Sequence, residues 1–369
     1  MPRRLTVVQL LPALESGGVE RSTLEIAAAL VAAGHRSVVV SAGGRLVAAL
    51  LAAGSEHVEL DIGRKSPWVL RQVPALRRVL TRLNADIVHA RSRLPAWIGH
   101  LALRDARLRA RFVTTVHGLN SPSRYSRIMA RGERVICVSE TVRAHVRAHY
   151  PDTDPARIEV IPRGIDPAAF PRDHAPPAGW RAALEATHPE LAGGRLLLMP
   201  GRGTRLKGHG DAIAVLAALR AGGIDARLWL MGAGGTGREG YLEELRALAR
   251  GAGVDGQLAI GPPRDDIVDA YAASDLVLQL SRKPEAFGRT VVEALAVGRP
   301  VLGWAHGGVG ELLAALYPTG AAALGDMDAL AARARALLED APAPPVTIPY
   351  SLAAMQAATL ALYVRLADA

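Results

Sequence analysis

The chain has 369 residues, half of them hydrophobic, and a formal net charge of +9. That length exceeds one usual domain and suits two of roughly 150 to 200 residues each. A single cysteine, Cys137, excludes an intramolecular disulfide, argues against a cysteine-based metal site and fits a reducing compartment.

The opening "MPRRLTVVQLLPAL" imitates a secretory leader, with two arginines before an apolar run. Gln9 and Pro12 interrupt it and no small-x-small cleavage site comes after it, so a strand entering a glycine turn explains it better. Downstream, short aliphatic runs alternate with helical patterns: "LTVVQLL", "GVERSTLEIAAALVAAGH", "RSVVVSA", then "ADIVHA", "RFVTTVHG", "RVICVSE" and "IEVIPRG". Near-continuous apolar strands separated by amphipathic helices predict a parallel sheet covered on both faces, with about six strands in this half. Cys137 falls in one of those strands and reads as a buried structural thiol. The Pro-rich "IDPAAFPRDHAPPAGW", residues 165–180, lacks backbone donors, and the domain boundary is expected there.

The alternation restarts with "RLLLMPG", "ARLWLMG", "QLAIGP", "DLVLQLS", "RPVLGW" and "AAALG". Two doubly wound α/β domains are therefore expected, residues 1–170 and 181–350. A last helix, "SLAAMQAATLALYVRLADA", comes after a second Pro-rich break and is expected to return to the first domain as residues 352–369. Such sheets bind ligands at the carboxyl ends of their strands. No uninterrupted apolar segment reaches the roughly 18 residues of a membrane span. Charge is uneven: residues 1–175 hold 26 Lys and Arg against 15 Asp and Glu, and the remainder holds 18 against 20.

The segment "RKPEAFGRTVVEALAVGRPV", residues 282–301, succeeds the strand "DLVLQLS". It places Glu285 in a loop at a strand's carboxyl end and Glu293 in the second turn of a helix starting near Arg289. Phe287 and Gly288 lie between them. Thr290 and Val291 fall in the first turn, where backbone amides lack internal partners and the dipole favours an anion. Amides for a phosphate and carboxylates for hydroxyls are what a sugar nucleotide requires. "PGRGTRLKGHGDAI" adds Arg202 and Lys207, cations suited to a leaving diphosphate, with Arg205 between them expected to be solvated. "ESGGVERS" supplies Gly17 and Gly18, where a backbone can approach a ligand closely. "TTVHG" ends a strand in His117.

"PEAFGRTVVEALAVGRPVLGWAHGGVGEL" resembles the signature of the retaining glycosyltransferases of family four, which have the GT-B fold of two facing Rossmann-like domains. The resemblance implies that Glu285 and the adjoining backbone contact the transferred sugar and that Glu293 holds the nucleotide ribose. It implies too that Arg202 and Lys207 hold the pyrophosphate, that the Gly17–Gly18 loop reaches the donor phosphate or the acceptor, and that His117 contacts the sugar. "CVSE", "VIPRGID" and "HGGVGEL" resemble further family elements, the last through Gly307, Gly308 and Glu311. Arg163 stands where the family more usually has Asn.

The activity that the resemblance implies is hexosyl transfer from a nucleoside diphosphate sugar, uridine favoured and guanosine the alternative, to a saccharide or glycolipid. No metal and no cofactor is expected. The resemblance offers no well-placed carboxylate nucleophile, which favours front-face attack by the acceptor. "GRKSPW" and "HARSRLPAW" are similar to bacterial enzymes that build lipopolysaccharide core or other surface glycans. The arginine-rich first domain would suit an anionic acceptor or the inner face of an anionic membrane, with the protein otherwise cytoplasmic.

Three rival functions compete with this one. "GAGGTG", residues 232–237, meets the dinucleotide pattern, but its helix is expected to start only near Tyr241 and the next strand ends in "GPP" rather than in an acid. Gly232 is instead expected beside the nucleotide, whose base would be read by backbone near Gly261 to Asp266. Nucleic-acid binding is disfavoured by the lack of interleaved aromatics or a binding motif. A sugar-nucleotide epimerase of the same fold is the remaining alternative.

Overall fold

The computed structural model describes residues 3–15, 17–235 and 237–369. The chain divides into two compact units, one running up to Arg163 and taking in Leu352–Ala369, the other Gly164–Ser351.

In the first unit seven strands, β1 (Thr6–Leu10), β2 (Arg36–Ser41), β3 (Glu56–Glu59), β4 (Ile87–Ala90), β5 (Arg111–Val116), β6 (Arg134–Cys137) and β7 (Ile158–Val160), form a sheet ordered β3-β2-β1-β4-β5-β6-β7. Every pairing in it is parallel. The central strands are aliphatic because helices cover both faces: Val38, Val39 and Val40 of β2 have no exposed surface. The sequence pattern leads one to expect six strands, and the seventh is β3. Its "EHVE" is charged and only partly buried, as an edge strand is permitted to be, so it carries no aliphatic signal.

The helix Leu352–Asp368 belongs to this unit as expected. Its buried residues Met355, Thr359, Leu362, Tyr363 and Leu366 recur at helical spacing, and its apolar members join Val7, Ile87, Val113 and Ile136 in one core cluster. Each large side chain buried there contributes roughly 1.5–3 kcal/mol. Cys137 is fully buried among these strands, and burial pushes its thiol up to about 12.

The second unit holds β8 (Arg195–Leu198), β9 (Ala226–Met231), β10 (Leu258–Gly261), β11 (Leu276–Gln279), β12 (Val301–Trp304) and β13 (Ala321–Ala322) in the order β10-β9-β8-β11-β12-β13. These pairings are parallel as well. Residues 165–180, where the boundary is expected, fall within the second unit and form a strap packed on it. Ile165 bridges to Ser351, Phe170 enters the core, Arg172 donates to the Pro344 and Pro345 carbonyls at 2.8 Å each, and Trp180 Nε1 donates to Asp266 at 2.8 Å. Prolines that deny the strap regular structure leave its carbonyls and side chains free to bind laterally.

Each sheet reverses its order beside its first strand, between β1 and β4 and between β8 and β11. The crevice outside the carboxyl ends at such a reversal is where doubly wound sheets take ligands.

Candidate active site

In the second unit the loops after β8 and β11 flank the reversal, and they carry the residues singled out in the sequence. Lys207 Nζ donates to Glu285 Oε1 at 2.5 Å, and Ser281 Oγ donates to the same oxygen. The side chains of Lys207 and Glu285 keep 27% and 23% of their exposure, so the pair is sheltered yet reachable. The Lys207 stem runs along Gly201, and the amide of Arg282 donates to the Leu206 carbonyl at 2.8 Å, lacing the two loops together. Arg202 is exposed on the β8 loop, its guanidinium making no hydrogen bond among the described residues. Arg205, by contrast, turns away to pair with Glu244 and lie 5.3 Å from the Tyr241 ring centroid.

Gly288 caps the helix Arg289–Val297 in the left-handed region at φ 101°, and a Cβ there would meet Val309 Cγ2 at 2.8 Å. Glycine alone combines that backbone with that clearance. Phe287 is buried in the core with its ring edge-on to Tyr350 at 5.6 Å, so it offers a ligand only its backbone. The expectation that the first-turn amides are free is corrected for Val291, which donates to the Gly288 carbonyl at 3.0 Å. A tight 3₁₀-type turn at the helix start consumes that donor. The Thr290 amide has no backbone partner among the described residues.

Glu293 lies in the second turn as expected, but nearly buried, with 8% of its surface exposed. Tyr271 Oη donates to its Oε2 at 2.9 Å and Arg289 Nε to its Oε1 at 2.8 Å. Burial, with Glu293 beside it, holds the Tyr271 hydroxyl well above its ordinary pKa, which keeps it a donor. The carboxylate is thus fixed in place, both of its oxygens accepting hydrogen bonds.

The Gly307–Gly308 turn packs directly on the Glu285 loop. The Gly308 amide donates to the Glu285 carbonyl at 2.7 Å, and a Cβ on Gly308 would lie 2.6 Å from Phe287 Cα. Gly232, at φ 85°, spends its amide on the Gly261 and Pro262 carbonyls at 3.0 and 3.1 Å. Gly234 also donates to Gly261 O, at 2.9 Å, and the next helix begins at Glu239. That start is two residues before the expected Tyr241, yet still after the glycines. Thr236 of this loop lies outside the described residues. The Gly232 and Gly234 amides are spent between loops and the helix opens only after the glycines, so the loop lacks the glycine-to-helix geometry that the dinucleotide pattern needs.

In the first unit a second polar cluster sits at the carboxyl ends of β1, β4 and β5. Gly17 and Gly18 are exposed, and Gly18 opens the helix Gly18–Ala32. Arg163 donates to the Gly18 carbonyl at 2.6 Å and to His117 Nδ1 at 2.7 Å. Arg91, just beyond β4, is buried, donating to Gln9 Oε1 at 2.7 Å and Ser22 Oγ at 3.3 Å. His89 bonds Tyr363 Oη at 2.5 Å and Thr115 Oγ1 at 2.6 Å. Burial first, then the neighbouring cations, hold His89 and His117 well below the usual imidazole pKa.

Sequence reasoning missed Arg91, Ser281, Tyr271 and Asp211. Asp211 is buried and paired with Arg282 and, at 3.2 Å, with Trp304 Nε1. Arg91 and Ser281 come just after strands beside the reversal, a position readable in the sequence once the strand order is known. Nothing in the sequence points to Tyr271 and Asp211, which reach the site from helices. Among the described residues no group of three or more His, Cys, Asp and Glu is arranged to hold a metal ion.

Residues 16–169 match the family model described as Glycosyltransferase Family 4, and residues 182–351 that of Glycosyl transferases group 1. A glycosyltransferase from Rickettsia africae ESF-5 has a structure similar at TM-score 0.82 with 28% identity, covering 98% of each chain. HepE of Anabaena, solved with UDP and glucose, is 20% identical with TM-score 0.76 over 97% of this chain and 100% of that one, a likeness of fold. The D-inositol 3-phosphate glycosyltransferase of Xylanimonas cellulosilytica is 30% identical over 243 residues, 61% of this chain and 56% of that protein. The chain spans about half the length of the curated relatives it matches. Two parallel-sheet units with these loops define the GT-B class of glycosyltransferase. Within that class the chain belongs to the family-four type, its two matched segments together taking in most of its length.

Proposed function

We propose that the protein is a retaining hexosyltransferase that moves a sugar from a nucleoside diphosphate sugar, preferably a uridine one, to a saccharide or glycolipid of the bacterial surface, without a metal ion. The observation that carries this reading is the Lys207–Glu285–Ser281 cluster at the reversal of the second sheet. As the bond from the anomeric carbon to the diphosphate breaks, negative charge gathers on the phosphate. Lys207, Arg202 and the Thr290 amide are fixed donors for it. The acceptor oxygen bonds the same carbon on the face being vacated, and its proton passes to the departing phosphate oxygen. Glu293 would accept from ribose hydroxyls, and Glu285 with its backbone from the sugar. HepE, solved with UDP and glucose, supports a uridine donor, and relatives named for an inositol phosphate support an anionic acceptor.

A panel of uridine, guanosine and adenosine diphosphate sugars, with EDTA present, tests the reading. A uridine diphosphate sugar should raise Tm by roughly 5 °C at saturation and be slowly hydrolysed, with the anomeric configuration kept in the product. Absence of both effects across the panel would sink it, and an isomerised sugar formed without acceptor would favour the epimerase.

Contact with an anionic membrane belongs to the same proposal. Trp68 and Leu70 are 66% and 54% exposed, and Arg71 lies 4.0 Å over the Trp68 ring beside exposed Arg64 and Lys65. Aromatic, aliphatic and cationic groups so placed suit an interface of headgroups and acyl chains. Among the described residues no helix is long and apolar enough to cross a membrane. In flotation at low salt the protein should rise with anionic vesicles and not with neutral ones; equal recovery with both ends the idea.

A further inference from the structure

His117 presents an unusual arrangement. Its Nδ1 lies 2.7 Å from an Arg163 nitrogen, and its Nε2 is buried without a hydrogen-bond partner among the described residues. A guanidinium only donates, so Nδ1 must be the acceptor and the proton of the neutral ring must sit on Nε2. The same Arg163 is anchored at 2.6 Å on the carbonyl of Gly18, the first residue of the helix entered from the Gly17–Gly18 turn. One buried cation, 8% exposed, therefore ties the glycine turn to the imidazole and leaves a single donor there unsatisfied. Buried polar atoms are rarely left without a partner, and each that is calls for one, supplied by a water, an ion or a ligand; the His117 donor lies among the polar groups at the carboxyl ends of β1, β4 and β5.

We propose that Arg163 is a positioning residue: anchored on the Gly18 carbonyl, it holds His117 as a neutral Nε2–H donor that hydrogen-bonds a substrate oxygen and takes no part in proton transfer. This rests on the transferase reading. The charged and titratable groups around the ring are Arg163, Arg91 and His89, with Tyr363 and Glu25 acting on Arg91 in turn. Three of these neighbours resist a second proton on the imidazole. A lysine keeps the charge and can donate to Nδ1, but it lacks the planar fork that serves the Gly18 carbonyl at the same time.

Imidazole nitrogen spectroscopy of the full chain, paired with steady-state kinetics, tests the assignment. In the wild type His117 should show a protonated Nε2 and an unprotonated Nδ1, unchanged from about pH 5.5 to 8. In Arg163→Ala the tautomers should mix and a titration should enter that window. With it kcat should fall by about 100-fold and the donor KM by far less. Arg163→Lys should restore the tautomer and part of kcat. A clamp on the loop alone would lower Tm and leave the imidazole spectrum as it was. The proposal is overturned by a protonated Nδ1 in the wild type, or by an Arg163→Ala variant with wild-type spectrum and kcat. If Arg163→Ala fails to fold, the wild-type and Arg163→Lys spectra decide. If no nucleotide sugar is turned over, the transferase reading falls while the spectra still judge Arg163.

Discussion

Lys207→Ala should lower sugar transfer by about 100- to 1000-fold while leaving the fold intact, the loss typical of removing one preorganised donor to a developing oxyanion. The physical reason is asymmetry between resting and reacting states. At rest the ammonium is held 2.5 Å from Glu285, which keeps it in the crevice at the β8–β11 reversal. When diphosphate leaves, the same ammonium faces new negative charge, and a partly sheltered site screens that attraction less than water does. The paired exchange Lys207→Glu with Glu285→Lys separates this from a structural ion pair. It should recover Tm, because the two charges still meet, and should not recover turnover, because the cation then sits on the wrong loop. Recovery of both would reduce the pair to a loop fastener and remove the main support for the donor site. Wild-type turnover in Lys207→Ala would do the same.

Acid should destabilise the protein well before its carboxylates titrate. His209 is fully buried, and burial, helped by the nearby Lys207 charge, lowers its pKa to about 4. His89 and His117 are held low too, first by burial and then by Arg91 and, for His117, Arg163. Above pH 6.5 or so each ring is neutral folded or unfolded, and stability does not depend on it. Below that value the unfolded chain takes up protons that the folded one refuses, so stability falls as pH falls, until the folded pKa is passed. For His209 the window runs from about 6.5 down to about 4 and is worth roughly 3 kcal/mol. The ion-paired carboxylates with lowered pKa, such as Asp266 beside Arg264, act only at lower pH, since their unfolded values lie near 4. A pH series of thermal melts should therefore show Tm dropping between pH 6.5 and 5, with His209→Gln flattening the slope. A level Tm across that interval would contradict the buried, neutral state of these rings.

Much of the architecture was legible in the chain itself. Aliphatic runs of four to six residues, broken by amphipathic helices, determine a pair of parallel sheets, because strands covered on both faces admit little else. The spacing of Glu285, Phe287, Gly288 and Glu293 placed one acid in a loop and the other in the second turn of a helix, as the structure has them. Local constraint is strongest there: a left-handed glycine cap and a buried second turn leave few residue types allowed. What the sequence could not supply were partners distant along the chain. That Val291 loses its amide to Gly288, that residues 165–180 bind the second unit, and that Tyr271 pins Glu293 depend on contacts no local pattern encodes.

Arg163 shows the division most sharply. In the sequence it is a departure from the usual asparagine and nothing more. In three dimensions it joins residues 46 and 145 positions away, His117 and Gly18. A hydrogen bond's direction, and with it which nitrogen of a histidine carries the proton, exists only once the chain has closed those distances.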